Sequence, residues 1–260
     1  MPPLDTPKAR LLLPREHGAY AQLLLPLVAA QAVGHPSVGS VSLSVAASLL
    51  FVAHESLLTL LGHRGPRALR ERTHAARTTL FIIAPAAAAL LVPAVAQLAG
   101  DLDLLFVPLA LCGVVLVLAY RKEERSTAGE MGAAVALTSW ALPVGRLAGA
   151  SRVVAFELIA AFSAAFILAT LAVRALIAHH KRRADAKWLR LATCVLAGLV
   201  PLAIVTQRCG TIAGALLPMA ALAATLAISH PHPRYLFKIG FGTMGASIVV
   251  AGILIATLRA

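Results

Sequence analysis

Charged residues are scarce in this chain, and acidic residues are the scarcest of them. The four charged types make up 13% of the 260 residues, and only 11 residues are acidic, whereas soluble domains average about 25% charged residues. Aromatic residues are also few, at 5%. This composition excludes an ordinary water-soluble globular domain, and no segment is left over with the composition of a separate soluble domain.

Metal and redox motifs are also missing. Cys112, Cys194 and Cys209 lie in or beside apolar runs without C-x-x-C spacing, so we expect structural thiols. No H-E-x-x-H spacing occurs among the histidines, and adjacent side chains such as His179 and His180 point in different directions on a helix. We therefore predict no metal site and assign no cofactor, with a histidine-bound metal or haem as the alternative.

Long apolar runs dominate the sequence instead. Hydrophobic residues make up 59% of the chain, and runs of about 18 or more apolar residues are typical of transmembrane helices. The prediction is an all-α, polytopic membrane protein that forms a single integral membrane domain over residues 1–260, with residues 1–14 as a short tail rather than a cleavable signal. The nine predicted spans are residues 17–34, 39–61, 78–99, 103–120, 129–149, 153–177, 188–206, 210–229 and 239–258.

Basic residues are distributed unevenly between the segments that join these spans. Alternate segments hold 19 of the 23 lysines and arginines, and the opposite segments hold four. The positive-inside rule then predicts a multi-pass protein of the cell inner (cytoplasmic) membrane, with the N-terminus in the cytoplasm and the C-terminus outside. We expect the lipid bilayer as partner, an anionic or isoprenoid lipid as candidate ligand, and no nucleic acid, because the basic residues are confined to short connecting segments.

The first span opens with unusual polarity. Arg15, Glu16 and His17 stand in a row, and Tyr20 and Gln22 follow within the first two turns of the apolar run. A membrane anchor needs only apolar length and a basic flank. The additional polar residues therefore predict one wall of a polar site at a mouth of the bundle.

A second polar pair, His54-Glu55, lies near the end of the second span. An acidic side chain at the centre of a membrane helix costs on the order of 2.5–3.5 kcal/mol, and less near an end. We therefore expect Glu55 to face the protein interior and to have a partner. A structural ion pair and a functional site remain equally open interpretations.

Further basic and acidic residues lie on the same predicted side. The loop 62–77 contains Arg64 and Arg67, and it is interpreted either as a topology signal that touches lipid headgroups or as a cradle for a phosphate or carboxylate. Arg121 follows the fourth span. Glu130 opens the fifth, where it either favours the helix N-terminus or faces a central cavity. On the other side, Glu157 is expected to pair with Arg146 or Arg152.

The opening stretch resembles the YwiC-like family of bacterial integral membrane proteins. The resemblance rests on Pro14-Arg15-Glu16-His17-Gly18-Ala19-Tyr20-Ala21 with Leu23-Leu24-Leu25-Pro26, on Ala53-His54-Glu55-Ser56-Leu57-Leu58 before a basic segment, and on the nine-span layout. It implies the class of protein and leaves its function open.

A more distant likeness is to the UbiA-type prenyltransferases, which are nine-helix proteins with Asp-rich motifs after the second and sixth helices. The likeness implies a UbiA-like bundle with a cavity on the cytoplasmic side, and His54-Glu55 falls where the first Asn-Asp of that family would be. The later aspartates would fall near Leu58 and Gly62, and the second loop has only Asp185. Carboxylates are what Mg²⁺ requires, so ordinary Mg²⁺-diphosphate chemistry is not expected.

These observations predict a polar site that faces the cytoplasm. The function predicted first is a UbiA-like membrane enzyme or lipid-binding protein; the alternatives are a permease for a small anion or a proton-coupled solute and an accessory protein of a membrane complex. Candidate acid–base residues are Glu16, His17, His54 and Glu55. Candidate substrate-binding residues are Arg15, Tyr20, Gln22, Arg64, Arg67, Arg121 and Glu130.

Overall fold

Helices account for nearly all of the described chain. The computed structural model describes residues 17–206 and 210–259. Ten α-helices and one short 3-10 turn, Pro233–Tyr235, lie within this part of the chain. The helices are α1 (His17–Val33), α2 (Val38–Leu60), α3 (Pro66–Gln97), α4 (Asp103–Tyr120), α5 (Thr127–Ser139), α6 (Ala141–Leu147), α7 (Arg152–His180), α8 (Ala186–Val205), α9 (Gly210–Ser229) and α10 (Leu236–Leu258).

The helix lengths confirm the predicted class. Seven helices (α2, α3, α4, α7, α8, α9 and α10) are long and apolar enough to cross a membrane. A helix needs about 20 apolar residues to span the hydrocarbon core, where an unpaired backbone group has no water to bind. The shorter α1 has 17 residues and is also apolar. The chain is therefore an all-α, polytopic membrane protein.

The fifth predicted span is not one continuous helix. It is divided at Trp140 into α5 and α6. Pro143 accounts for the break, because it has no backbone N–H to donate to residue 139 and its ring clashes with that carbonyl. Ser139 instead donates its hydroxyl to the carbonyl oxygen of Ala136, at 2.7 Å.

The basic segment predicted as a loop over 62–77 is mostly helical, so that prediction was wrong. Helix α3 already begins at Pro66, a residue that suits the first turn of a helix because its missing N–H would be unpaired there. Gly62 and Gly65 make the preceding turn with positive φ angles of 77° and 90°. The basic residues from Arg67 onward are thus part of α3.

The core is centred on α7, which contacts α1, α5, α6, α8, α9 and α10. Small side chains such as Ala161, Ala165 and Ala172 are fully buried along α7, and Phe162 is buried among them. Small residues let helix backbones approach closely, which gives the van der Waals contact that holds membrane helices together. By contrast, α3 packs along α2 at the edge of the bundle.

Polar contacts define two ends of the bundle. At one end, the turns α2–α3, α4–α5 and α9–α10 and the last turns of α7 are linked through Arg64–Glu124, Arg174–Arg125 and His180–Pro231 contacts. We call this the basic end. At the opposite end, Ser37 donates to the carbonyl oxygen of Leu147 at 2.8 Å, and Gln97 accepts from the backbone N–H of Gly39 at 3.1 Å.

Gly34 allows α1 and α6 to meet at the opposite end. The N–H of His35 donates to the carbonyl oxygen of Ala148 at 2.6 Å. A Cβ atom added at Gly34 would lie 2.2 Å from the same oxygen. Because that oxygen belongs to the backbone, any side chain here forces the two helix ends apart.

We expect Gly34→Ala to destabilise the protein by about 1–3 kcal/mol, the usual cost of overpacking. The measurement is the midpoint of thermal unfolding in detergent, which should fall by several degrees.

Gly113→Ala on α4 is the matched control. A Cβ at this position meets no atom within 4 Å, and alanine favours a helix over glycine, so its midpoint should not fall. An equal loss in both variants would contradict the close approach.

Candidate functional site at the basic end

Arg64 is the centre of the polar site. Its guanidinium lies in the turn between α2 and α3 and folds back onto the carboxylate of Glu55, one turn before the end of α2. Nε donates to Oε1 of Glu55 at 3.0 Å and Nη2 donates to Oε2 at 2.5 Å. This bidentate geometry is the strongest form of an arginine–carboxylate pair.

Glu124 contributes a second carboxylate to the same arginine. Arg64 Nη1 lies 3.3 Å from Oε1 of Glu124, in the turn between α4 and α5. The side chains of Arg64, Glu55 and Glu124 are 20%, 16% and 24% exposed. This partly buried trio, the Arg64 cluster, joins two turns that are far apart in sequence, which is why the sequence pattern did not reveal Glu124 as a member.

His54 lies beside the Arg64 cluster on α2. Its Nε2 atom is buried and has no hydrogen-bond partner among the described residues, and the same holds for the hydroxyl of Ser56. An unpaired buried polar group costs about 1–3 kcal/mol. Groups of this kind near a mouth of the bundle are therefore candidates to bind a polar atom of a ligand.

The first helix reaches the same region. The ring of Tyr20 packs edge-on against Phe51, with 5.1 Å between the ring centroids. Phe51 is three residues before His54, so the two share one face of α2. This contact brings the start of α1 close to the Arg64 cluster. Gln22, two residues after Tyr20, is half-buried on a different side of α1.

Three of the predicted site residues are not described in full. Arg15 and Glu16 lie outside the described residues, and His17 is described only as the first backbone residue of α1. Their membership of the site stays a prediction.

Other candidates lie apart from the Arg64 cluster. Arg67 is 87% exposed on α3 and pairs with Glu71, one turn along the same helix. Arg121 is exposed at the C-terminal end of α4. Glu130 pairs with Arg174 of α7, whose Nε lies 2.7 Å from Oε2. Arg174 also donates to the carbonyl oxygen of Arg125, so this pair holds the start of α5 against α7.

An apolar groove adjoins the Arg64 cluster. It has a volume of about 290 Å³ and runs between the basic ends of α2 and α4. His63 and Tyr120 stand where it meets the two turns, with 6.2 Å between their ring centroids. The lining residues are Leu57, Leu58, Leu61, His63, Leu116, Val117, Ala119 and Tyr120.

The charges in the Arg64 cluster do not balance. Two carboxylates share one guanidinium, so the trio carries a net charge of about −1 when all three groups are ionised. Exposed cations, Arg121 and Lys122, follow directly at the end of α4. Within the described residues no group of three or more histidine, cysteine, aspartate or glutamate side chains is arranged to hold a metal ion.

The opposite end carries a network of a different kind. Asp101 binds both Arg146, at 2.7 Å, and Arg152, and Arg152 also reaches Asp103 at 3.0 Å. Hydrogen bonds from Arg146 and then Arg152 hold the pKa of Asp101 below its ordinary value. The predicted pairing of these arginines with Glu157 was wrong, because the short α3–α4 connection brings two aspartates closer to them.

The family-model comparison decides the class of the protein. The model described as YwiC-like protein matches residues 13–145, which is just over half of the 260 residues. The chain belongs to the YwiC-like family. The matched region contains α1 to α5, Glu55, Arg64 and Glu124, so the Arg64 cluster lies wholly inside it.

Two other comparisons add no relative to this YwiC-like protein. No curated protein matches the chain, and no solved structure matches it. The likeness to UbiA-type prenyltransferases therefore stays a prediction.

Replacement of Arg64 tests whether the cluster holds the two turns together. Arg64→Met leaves Glu55 and Glu124 partly buried without their cation, and the loss of one partner of a buried pair costs on the order of 3 kcal/mol. We expect the midpoint of thermal unfolding in detergent to fall clearly.

Arg67→Met is the matched control, because it removes the same side chain from an exposed pair that contributes about 0–1 kcal/mol. Equal midpoints for the two variants would contradict a structural role for the Arg64 cluster.

Proposed function

We propose that this YwiC-like protein binds an amphipathic lipid at its basic end, with the lipid chain in the α2–α4 groove and the headgroup at the Arg64 cluster. The main support for this proposal is that the groove and the Arg64 cluster are adjacent. His63 lines the groove and is the residue before Arg64, and Tyr120 lines it four residues before Glu124. An apolar groove next to a polar site matches a molecule with one apolar and one polar part.

The lining of the groove favours a hydrocarbon chain as its occupant. Six of its eight lining residues are leucine, valine or alanine. A volume of about 290 Å³ is at the lower limit of small-molecule sites, which suits one chain segment rather than a whole lipid. The exposed sides of Leu116 and Val117 support entry from the surrounding bilayer.

The exposed cations near the groove favour an anionic headgroup, because they outnumber the one excess carboxylate of the Arg64 cluster. Arg121 and Lys122 are exposed directly after Tyr120, and the first turns of α3 add Arg67, Arg70 and Arg72. Together they produce a positive potential around the mouth of the site, which attracts anions. The Arg64 guanidinium lies between the two carboxylates of the cluster, and a headgroup phosphate would compete with Glu124 for its Nη1, which at 3.3 Å is farther from Glu124 than Nε and Nη2 are from Glu55.

His54 is the group that a bound headgroup would engage directly. Its buried Nε2 has no partner among the described residues, so a ligand oxygen or hydroxyl at this position would remove an unfavourable unpaired group. Glu55 is instead clamped by Arg64. We therefore assign hydrogen bonding to the headgroup to His54, and the positioning of Arg64 to Glu55.

The proposed orientation follows from the charge distribution. With the basic end in the cytoplasm, the site opens to the cytoplasmic leaflet of the inner membrane, the N-terminus lies inside and the C-terminus outside. We propose that Arg15, Glu16 and His17 belong to the same mouth. The proposal ends at lipid binding and includes no reaction.

Native mass spectrometry of gently extracted protein tests the proposal. We expect one retained lipid per chain, and we expect Leu116→Trp to reduce its retention about tenfold by filling the groove, since 1.4 kcal/mol corresponds to a factor of ten in affinity. Val114→Trp is the matched control, because Val114 is 53% exposed on the same helix and does not line the groove.

A second measurement separates lipid binding from the permease alternative. Protein in nanodiscs should bind a polyprenyl phosphate more tightly than the uncharged polyprenol, and the preference should weaken in Arg64→Met. Equal retention of lipid by both tryptophan variants, or anion flux in proteoliposomes that Leu116→Trp leaves intact, would overturn the lipid proposal.

A further inference from the structure

Four histidines meet at the basic end, on the side of the bundle formed by α7, α8 and the α9–α10 connection. The rings of His179 and His230 lie 4.1 Å apart between centroids, at an angle of 32°. His180 and His232 lie 5.9 Å apart. We call these residues the histidine cluster. It joins the last turn of α7 to the α9–α10 connection, about 50 residues later in the chain.

Hydrogen bonds in the histidine cluster depend on neutral imidazoles. Arg190 Nη1 lies 3.0 Å from Nε2 of His230, and since a guanidinium has no acceptor, His230 must accept this bond. In the same way, Nδ1 of His232 accepts the backbone N–H of Arg234 at 3.2 Å. A doubly protonated imidazole has no acceptor nitrogen, so protonation breaks either bond.

A third hydrogen bond joins the α9–α10 connection to α7, and this bond does not require a neutral imidazole. Nε2 of His180 lies 2.9 Å from the carbonyl oxygen of Pro231, and a carbonyl only accepts, so His180 donates. This bond survives protonation of His180. The sensitive contacts are therefore those in which His230 and His232 accept. Of the two, His230 makes the bond to another helix, and it adopts a φ of 46°, a conformation uncommon for a residue other than glycine.

The charged groups around His230 all disfavour its protonation. From α7 it faces His179 and His180, and from α8 it faces Arg190. On its own connection, His232, Arg234 and the nearby Lys238 add no negative charge. The nearest acidic residue along α7–α8 is Asp185, whose described ion pair is with Arg183 at 3.7 Å.

The pKa of His230 lies below its ordinary value of 6.5, first because the ring is partly removed from water and then because of the charges of His179 and Arg190. A histidine with a lowered pKa in the folded state contributes stability that is present above pH 6.5 and is lost as the pH falls through the folded-state pKa. Acidification therefore weakens the contact between His230 and α7–α8.

We propose that the histidine cluster is a pH-sensitive clasp, which holds the α9–α10 connection against α8 at neutral pH and releases it from α8 in mild acid. Release loosens residues 229–236 at the basic end, while the His180–Pro231 bond still joins the connection to α7. The clasp is independent of the proposed lipid site, because none of its residues lines the α2–α4 groove.

Hydrogen exchange of the full chain in nanodiscs tests the clasp, with wild type and His230→Gln compared at equal pH so that intrinsic exchange rates cancel. Glutamine keeps an acceptor for Arg190 and does not titrate. At pH 5.5 we expect the amides of residues 229–236 to exchange on the order of fivefold faster in wild type than in the variant, because the open state binds the proton more tightly. At pH 7.5 the two should match.

Two further variants make the result decisive. His74→Gln removes an exposed histidine of α3 and should exchange like wild type at both pH values. Arg190→Gln removes the nearest cation while it keeps a donor, and it should reduce the dependence on pH. Identical exchange of wild type and His230→Gln at pH 5.5, or an equal effect of His74→Gln, would overturn the proposal.

Discussion

The exclusion of water from the bilayer interior is the constraint on which the rest of this structure depends. Each backbone group within the hydrocarbon must be paired inside its own helix, so irregular backbone collects at the two ends of the bundle. Polar side chains follow the same rule. The interior of α7 is filled with alanine and phenylalanine, whereas Arg64, Arg174 and Arg190 meet their partners at the basic end.

Charged side chains are paired differently at the two ends of the bundle. At the opposite end, Arg146 and Arg152 are bound by Asp101 and Asp103 in short connections, so cations and carboxylates balance locally. At the basic end, carboxylates are too few to pair with all the cations. The excess of positive charge is exposed in the turns, and for this reason we propose a ligand-binding surface at the basic end.

Some features of the site were predictable from the sequence because they follow from the free energy of burying a charged side chain. They do not depend on which residue becomes its partner. The burial cost of Glu55 predicted an interior-facing carboxylate with a cationic partner, and the partner is Arg64. Glu124 was not predictable, because its role depends on the position of the α4–α5 turn over α2. The resemblance carried by Ala53-His54-Glu55-Ser56-Leu57-Leu58 agreed with the family match, which identifies the class of protein but names no ligand.

The sequence by itself determined the helical membrane class, the presence of the long apolar helices and the unequal charge of the connections, because apolar length and helical hydrogen bonding are local properties. The tertiary structure alone decided the choice of Asp101 over Glu157 as partner of Arg146 and the meeting of His179 with His230. These features depend on which helices are neighbours. Neighbour choice is set by close packing of small side chains, which no single segment encodes.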